Sequence, residues 1–446
     1  LSRVNTNLLA GVGRTDITPA LGTALAGYPV QDRVAEAVRD PLHATTLVLE
    51  RNGVRAALLS LDWILIEQEE VDTIRRLVEE KTGIPGAHIT VCAIQSHSAP
   101  RTFTAWGWGD KDRAYVAQVM PAIVDSAVQA VAALQPATVG IGTTTSDVGV
   151  NRRQIAENHT VRLGVNPWGP YDPTMTVLRF EGSQGPIATL VHYGAHPTVF
   201  SGQSRVVSRD WPGVMVDRME ALTGAPTLFI NGAVGDVAPR TNVLAAVGDG
   251  ETAVLEVGLR AASDAMRTYR AIKEFRDLPL AVQTGPLVLP YRPLTSLEEA
   301  QRNLSAAEAG KDRWGQGMCD YRHWQAVVDA HARPPETSTT FAQSITQLGP
   351  VVFVPFPGEP FSEIVLRLRH VSPFAYTLCA STTNGSYGYF VTRESLHRGG
   401  YEVWVGKAYG AYLLSETIDD ALIDGNLALL RTLAAANDPA HSGEAA

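Results

Sequence analysis

Short, largely apolar runs recur along this chain, and each stops at a loop that carries His, Asp, Glu or Gly. The runs at residues 44–50, 55–62, 88–94, 186–193, 226–231 and 350–355 are too short for helices that bury a full face and rich in Val, Leu, Ile and Ala. They read as buried strands. Between them lie amphipathic stretches. Residues 68–81 place Val71, Ile74, Leu77 and Val78 on one helical face, and residues 112–134 do the same with Val116, Met120, Ile123, Ala127 and Val131. Pro121 is expected to kink or split that second helix, because it removes one backbone donor. Further helices are expected at 211–223, 252–272 and 409–434, and further strands at 137–145, 175–181 and 375–380. This order predicts an α/β fold, a layered mixed β-sheet core flanked by helices. The 446 residues suffice for one large domain, read as 1–435. Residues 276–345 are more polar and read as an insertion or cap, and 436–446 as a disordered tail.

Charge narrows the function classes only a little. The net charge is -9 with no block of like charges, which disfavours nucleic acid as a partner and fits a small-molecule substrate. Cys92, Cys319 and Cys379 are far apart and odd in number, so neither a disulfide framework nor a cysteine zinc site is expected. No apolar run approaches the ~18 residues of a membrane span. The first residues carry no basic segment followed by an apolar stretch, so no secretion signal is expected and the cytoplasm is favoured. Oligomeric state is not legible.

Loops that follow buried strands are where α/β proteins usually place reactive groups. Four stand out. After 88–94 comes Gln95-Ser96-His97-Ser98-Ala99-Pro100-Arg101, where His97 has small neighbours and room for a ligand. After 186–193 comes Gly194-Ala195-His196-Pro197, with Asp210 downstream as either a helix cap or a functional acid. After 226–231 comes Asn231-Gly232-Ala233-Val234-Gly235-Asp236, whose backbone N–H groups near Gly235 could hold an oxyanion. Asp236 is there either catalytic or part of a turn. The fourth is Pro357-Gly358-Glu359-Pro360, followed by a loop rich in Gly and Tyr that holds Tyr387 and Tyr389. Two histidines, a carboxylate and a phenol would suit zinc, although no local spacing assembles them.

Taken in order, these loops resemble the catalytic domain of neutral ceramidases. The resemblance begins at Gly11-Val12-Gly13-Arg14-Thr15-Asp16 and continues through Asp40-Pro41-Leu42-His43 and Leu59-Ser60-Leu61-Asp62. It runs on through the His97 loop, Asn151-Arg152-Arg153, Asp172-Pro173, the His196 loop, Gly235-Asp236-Val237-Ala238-Pro239, Pro357-Gly358-Glu359 and the Tyr387 loop. It spans about residues 10 to 435 and is closest to a short, single-domain branch of that superfamily. The family binds zinc and hydrolyses an N-acyl amide. The resemblance implies His196, Glu359 and Tyr387 as metal ligands. Gln95 stands where the family has its first ligand histidine, so His97, which matches the second histidine of that motif, is expected to complete the metal set. Ala238 stands where the family has a catalytic serine.

The leading expectation is therefore a zinc-dependent hydrolase of an amide or ester carbonyl, with ceramide itself disfavoured. Its metal ligands would be His97, His196, Glu359 and Tyr387. Asp210 and Asp236 would orient groups around an activated water, and Gln95, Arg101, Asn151, Arg152 and Tyr389 would contact substrate. One alternative is a metal-free glycoside hydrolase that pairs carboxylates from Asp62, Asp210, Asp236 and Glu359 beside Trp106, Trp108, Trp168 and Trp211. Another is a non-catalytic binding protein.

Overall fold

The computed structural model describes residues 8–30, 32–104, 109–240 and 250–436. Three sheets carry the fold, and each contains one parallel pair of strands. Val54–Leu61 runs parallel to Ile89–Ala93, Gly185–Tyr193 to Thr227–Asn231, and Val351–Pro355 to Tyr376–Ala380. Parallel neighbours need a crossover, and a helix supplies it each time: Gln68–Thr82, Asp210–Thr223 and Ser362–Val371. The remaining strands of each sheet add antiparallel, giving orders of five, four and four strands. The expected α/β fold with a layered mixed sheet is thus present.

The three sheets face one another across a shared core. Leu47 and Leu58 of the first sheet, Leu178, Leu190 and Leu228 of the second, and Leu280, Phe353 and Leu378 of the third all belong to one buried cluster. Each sheet packs its other face on helices. In Gln68–Thr82 the apolar stripe Val71, Ile74 and Val78 is buried, and Gly83 ends the helix in the left-handed conformation, its N–H on the Glu79 carbonyl. The helix Arg113–Ala132 begins at Asp112, which accepts the Tyr115 N–H at 2.9 Å. It runs on through Pro121, which lies on its exposed side, where the lost backbone donor and the ring are tolerated. This helix is long and apolar enough to cross a bilayer by length and composition, but Val119, Ile123, Ala127 and Ala130 bury its face in the first layer of the core.

Two expected boundaries change. The last helix starts at Ile418 and not at 409, because residues 401–409 form two short helical turns that end at Gly410, φ 137°. Residues 276–345 divide in two. Leu280–Pro290 and Ser338–Leu348 pair along their full length as strands of the third sheet, while the residues between them form the helices Leu297–Ala307 and Gln316–Ala330. Residues 437–446, most of the expected tail, lie outside the described residues.

Candidate active site

The three crossover units point their carboxyl ends at one place. Gln95 and His97 follow the second strand of the first unit, and His196 follows the first strand of the second. Glu359 follows the first strand of the third unit, and Tyr389 lies beyond its second strand. Local contacts then fix each side chain. The Gln95 N–H bonds the Trp63 carbonyl at 2.9 Å, with the residue held at φ 71°. Glu359 and Tyr389 are neighbours in a two-residue parallel bridge, with the Glu359 N–H on the Gly388 carbonyl at 2.8 Å. Two glycines permit the close approach. A Cβ on Gly235 would lie 2.5 Å from the Glu359 carbonyl oxygen, and one on Gly27, φ 100°, would lie 2.6 Å from the His97 Cβ.

Tautomers follow from the hydrogen bonds. His196 Nδ1 is 2.9 Å from the Val237 carbonyl, and His97 Nδ1 is 2.8 Å from the Gly27 carbonyl. A carbonyl only accepts, so both Nδ1 atoms carry the proton, and in the neutral rings both Nε2 atoms present lone pairs. Burial lowers the pKa of both histidines and keeps them neutral. Proximity to His196 adds to this for His97, and the Arg152 guanidinium adds to it for His196. For Glu359, burial pushes toward the neutral acid, and the nearby Arg152 guanidinium and Gln95 amide oppose it.

The result is a concentration of acceptors without donors. His196 Nε2 and Glu359 Oε2 face each other at 3.1 Å, yet neither makes a hydrogen bond of acceptable geometry, and Gln95 Oε1 is also buried without a partner. Two ligand atoms on one tetrahedral zinc stand ~3.4 Å apart, so the His196–Glu359 pair is spaced for a shared cation. His97 stands further off, its ring centroid 5.7 Å from that of His196. Among the described residues, the one group of three His, Cys, Asp or Glu ligand atoms within 4.8 Å of one another is Glu67, Glu69 and Glu70. That group already has a cationic partner, the Lys111 ammonium, which bonds all three.

A cavity of about 140 Å³ opens onto these groups, lined by Gln95, His97, Glu359 and Tyr389 together with Ile64, Leu65, Trp314, Tyr401 and Tyr409. Arg152 anchors one wall. Its Nε donates to Glu402 at 3.0 Å and its Nη2 to the Tyr389 oxygen at 3.1 Å, while Arg153 donates to the other Glu402 oxygen. Because the Tyr389 oxygen accepts from arginine, its own proton remains available to the cavity.

Other sequence-derived residues lie elsewhere. Tyr387 stacks on Tyr291 and meets Phe341 edge-on, lining a neighbouring cavity. Tyr389, paired with Glu359 through the backbone, lines the cavity with it. Asp210 opens the Asp210–Thr223 helix and accepts the Phe200 and Trp211 N–H groups. Asp236 accepts the Ser362 N–H and hydroxyl at 2.8 Å and the Asn151 amide at 3.0 Å. Burial raises both carboxyls to about 6. Neither lines the cavity. Asn151 is spent on Asp236, Pro170 and the Arg153 N–H. Arg101 donates to the Leu25 carbonyl. The Gly235 N–H is on the Pro360 carbonyl at 3.1 Å, so it is not offered to an oxyanion.

Among the described residues, the carboxylate pairing needed for a glycosidase is not assembled around this cavity, where Glu359 is the one acidic residue in the lining. Asp62 sits instead with His43 and Arg209. Of the tryptophans expected beside the site, Trp211 is in the core and Trp168 is 93% exposed. Trp106 and Trp108 lie outside the described residues. Trp314, Tyr401, Tyr409 and Glu402 were missed from sequence because no strand-end position marks them.

Comparisons with known proteins give the family and the fold. The sequence profile of the neutral/alkaline non-lysosomal ceramidase N-terminal region matches residues 8–254, more than half of the chain. No curated protein matches the sequence. Among solved structures, the neutral ceramidase from Pseudomonas aeruginosa superposes with a TM-score of 0.73 at 19% identity, covering 96% of this chain and 75% of that one. A ceramidase complexed with C2 gives 0.75 at 18% identity, covering 97% and 76%. The chain belongs to the neutral/alkaline non-lysosomal ceramidase family and is a hydrolase.

Proposed function

We propose that the chain is a divalent-cation-dependent hydrolase of amide or ester carbonyls in small substrates, with zinc the cation its donors fit. The observation that carries this reading is the buried acceptor set: the His196 Nε2 lone pair against Glu359 Oε2 at 3.1 Å, with Gln95 Oε1 beside them. Acceptors that face acceptors in a dry site repel, and a cation between them removes the repulsion. When bound, zinc supplies Lewis-acid activation of the carbonyl and of the attacking water.

The protein's own groups do the rest. His196 and Glu359 hold the cation. His97, neutral and with Nε2 unprotonated, is placed to accept a proton from the attacking water and pass it to the leaving nitrogen or oxygen. Tyr389, its oxygen occupied by Arg152, donates its proton toward the carbonyl oxygen as negative charge develops there. Asp236 and Asp210 are positioning residues. Asp236 ties the segment whose Val237 carbonyl holds His196 to the start of the Ser362–Val371 helix, and Asp210 fixes the 199–200 backbone next to the His196 loop.

Substrate size follows from the cavity. Ligand sites for drug-sized molecules are roughly 300–1,000 Å³, and a cavity of about 140 Å³ with Trp314, Tyr401 and Tyr409 in its wall favours a short acyl group over a long chain. Ceramide is therefore disfavoured. A panel of acetyl to octanoyl amides and esters tests the proposal. Hydrolysis of the short members should fall at least roughly a hundredfold after chelation, return with zinc, and be lost in His196→Ala. Undiminished hydrolysis in a cation-free preparation would refute it.

A further inference from the structure

Resting on the reading just given, we infer that Gln95 is itself a cation ligand: its amide oxygen takes the third protein position, and this neutral oxygen weakens the site's preference for zinc. Three observations carry it. Gln95 is 1% exposed, lines the cavity with Glu359, and leaves Oε1 without a hydrogen bond. Its backbone sits at φ 71°, a left-handed conformation that favours glycine, so the chain holds a long side chain here against a local cost. Finally, four buried side-chain atoms among the described residues that can only accept lack a hydrogen bond. They are Glu70 Oε2, Gln95 Oε1, His196 Nε2 and Glu359 Oε2, and three of these meet at this one cavity.

The amide's two ends have different work. The Gln95 amide lies beside Glu359, and both side chains line the cavity. A carboxylate accepts, so the Gln95 Nε2 faces it, and Oε1 is left to hold a cation. A hydrogen-bonding role alone would leave Oε1 buried and unpaired. The chemistry of the set changes as a result. One imidazole nitrogen, one carboxylate and one amide oxygen make an oxygen-rich shell. Carbonyl and carboxylate oxygens suit manganese and magnesium, whereas imidazole suits zinc. With His97 standing off, this site should discriminate zinc from manganese less than a two-histidine site would.

The test is calorimetric titration of the metal-stripped full chain with zinc and with manganese, in wild type, Gln95→Gly, Gln95→His and His196→Ala. Glycine accepts the left-handed backbone, so Gln95→Gly should fold at least as stably as the metal-free wild type while binding both metals roughly tenfold more weakly. Gln95→His should tighten zinc roughly tenfold and leave manganese nearly unchanged. Cobalt substitution adds a spectroscopic readout, since a ligand change at this position must alter the visible bands. Identical affinities and cobalt spectra in wild type, Gln95→Gly and Gln95→His, with binding lost in His196→Ala, would overturn the role of Gln95 and leave the metal reading standing. Absence of metal binding in the wild type would remove both.

Discussion

His43 and Asp62 lie partly buried beside Arg209, and the desolvation moves their protonation in opposite directions. Burial lowers His43 to about 4, reinforced by Arg209 and Arg14. It raises Asp62 to about 7, despite Arg209 nearby. For Asp62 the folded chain binds a proton that the unfolded chain does not between about pH 4 and 7, so stability falls as pH rises through that window. Asp210 and Asp236, raised to about 6, act in the same sense. For His43 the folded chain binds fewer protons between about pH 4 and 6.5, so its contribution rises with pH and offsets part of the fall. His43→Gln should remove that offset. Its unfolding free energy should drop more steeply than wild type between pH 4 and 6.5, by up to roughly 3 kcal/mol across the window. Denaturation curves at several pH values check this, and parallel pH profiles would contradict it.

At this same scale, sequence reading singled out His196, Glu359, His97 and Gln95 because all follow strand ends. It could not separate Tyr387 from Tyr389. The two lie two residues apart and would share a face in a regular strand, but Gly388 between them has φ 96° and breaks the alternation. Nor could it tell that Asp210 and Asp236 spend their oxygens on structural donors, since these include the Phe200 and Ser362 N–H groups, 10 and 126 positions away.

Among the elements, the three strand–helix–strand units were legible in outline because buried parallel strands read as continuous apolar runs. The parts that close the cavity were not. Trp314 sits in the turn between Leu297–Ala307 and Gln316–Ala330, and Tyr401 and Tyr409 come from the short turns before Gly410. These segments are too short for a periodicity to register, and they gain their structure from one another: Trp404 lies between Trp314 and Tyr401, with ring centroids 6.1 and 5.1 Å away. We propose residues 291–337 as the cap, a narrower segment than sequence composition indicated. Trp314→Ala should enlarge the cavity and shift acyl preference. The ratio of kcat/KM for octanoyl over acetyl substrates should rise roughly tenfold or more, as expected for a few methylene groups gaining room. An unchanged ratio would show that Trp314 does not limit chain length.

For the whole molecule, the account is one of convergence. Three sheets share a core, each contributes one parallel pair, and the carboxyl ends of those pairs deliver His196, Glu359 and Gln95 to a single buried point. Such a point of facing lone pairs is stable only if something positive occupies it, which is the central claim. Elemental analysis of wild type and His196→Ala, purified without chelator, tests it most directly. The account predicts about one divalent metal ion per wild-type chain and at most about a tenth as much in the variant. A wild-type protein that is folded, active and free of metal would contradict it.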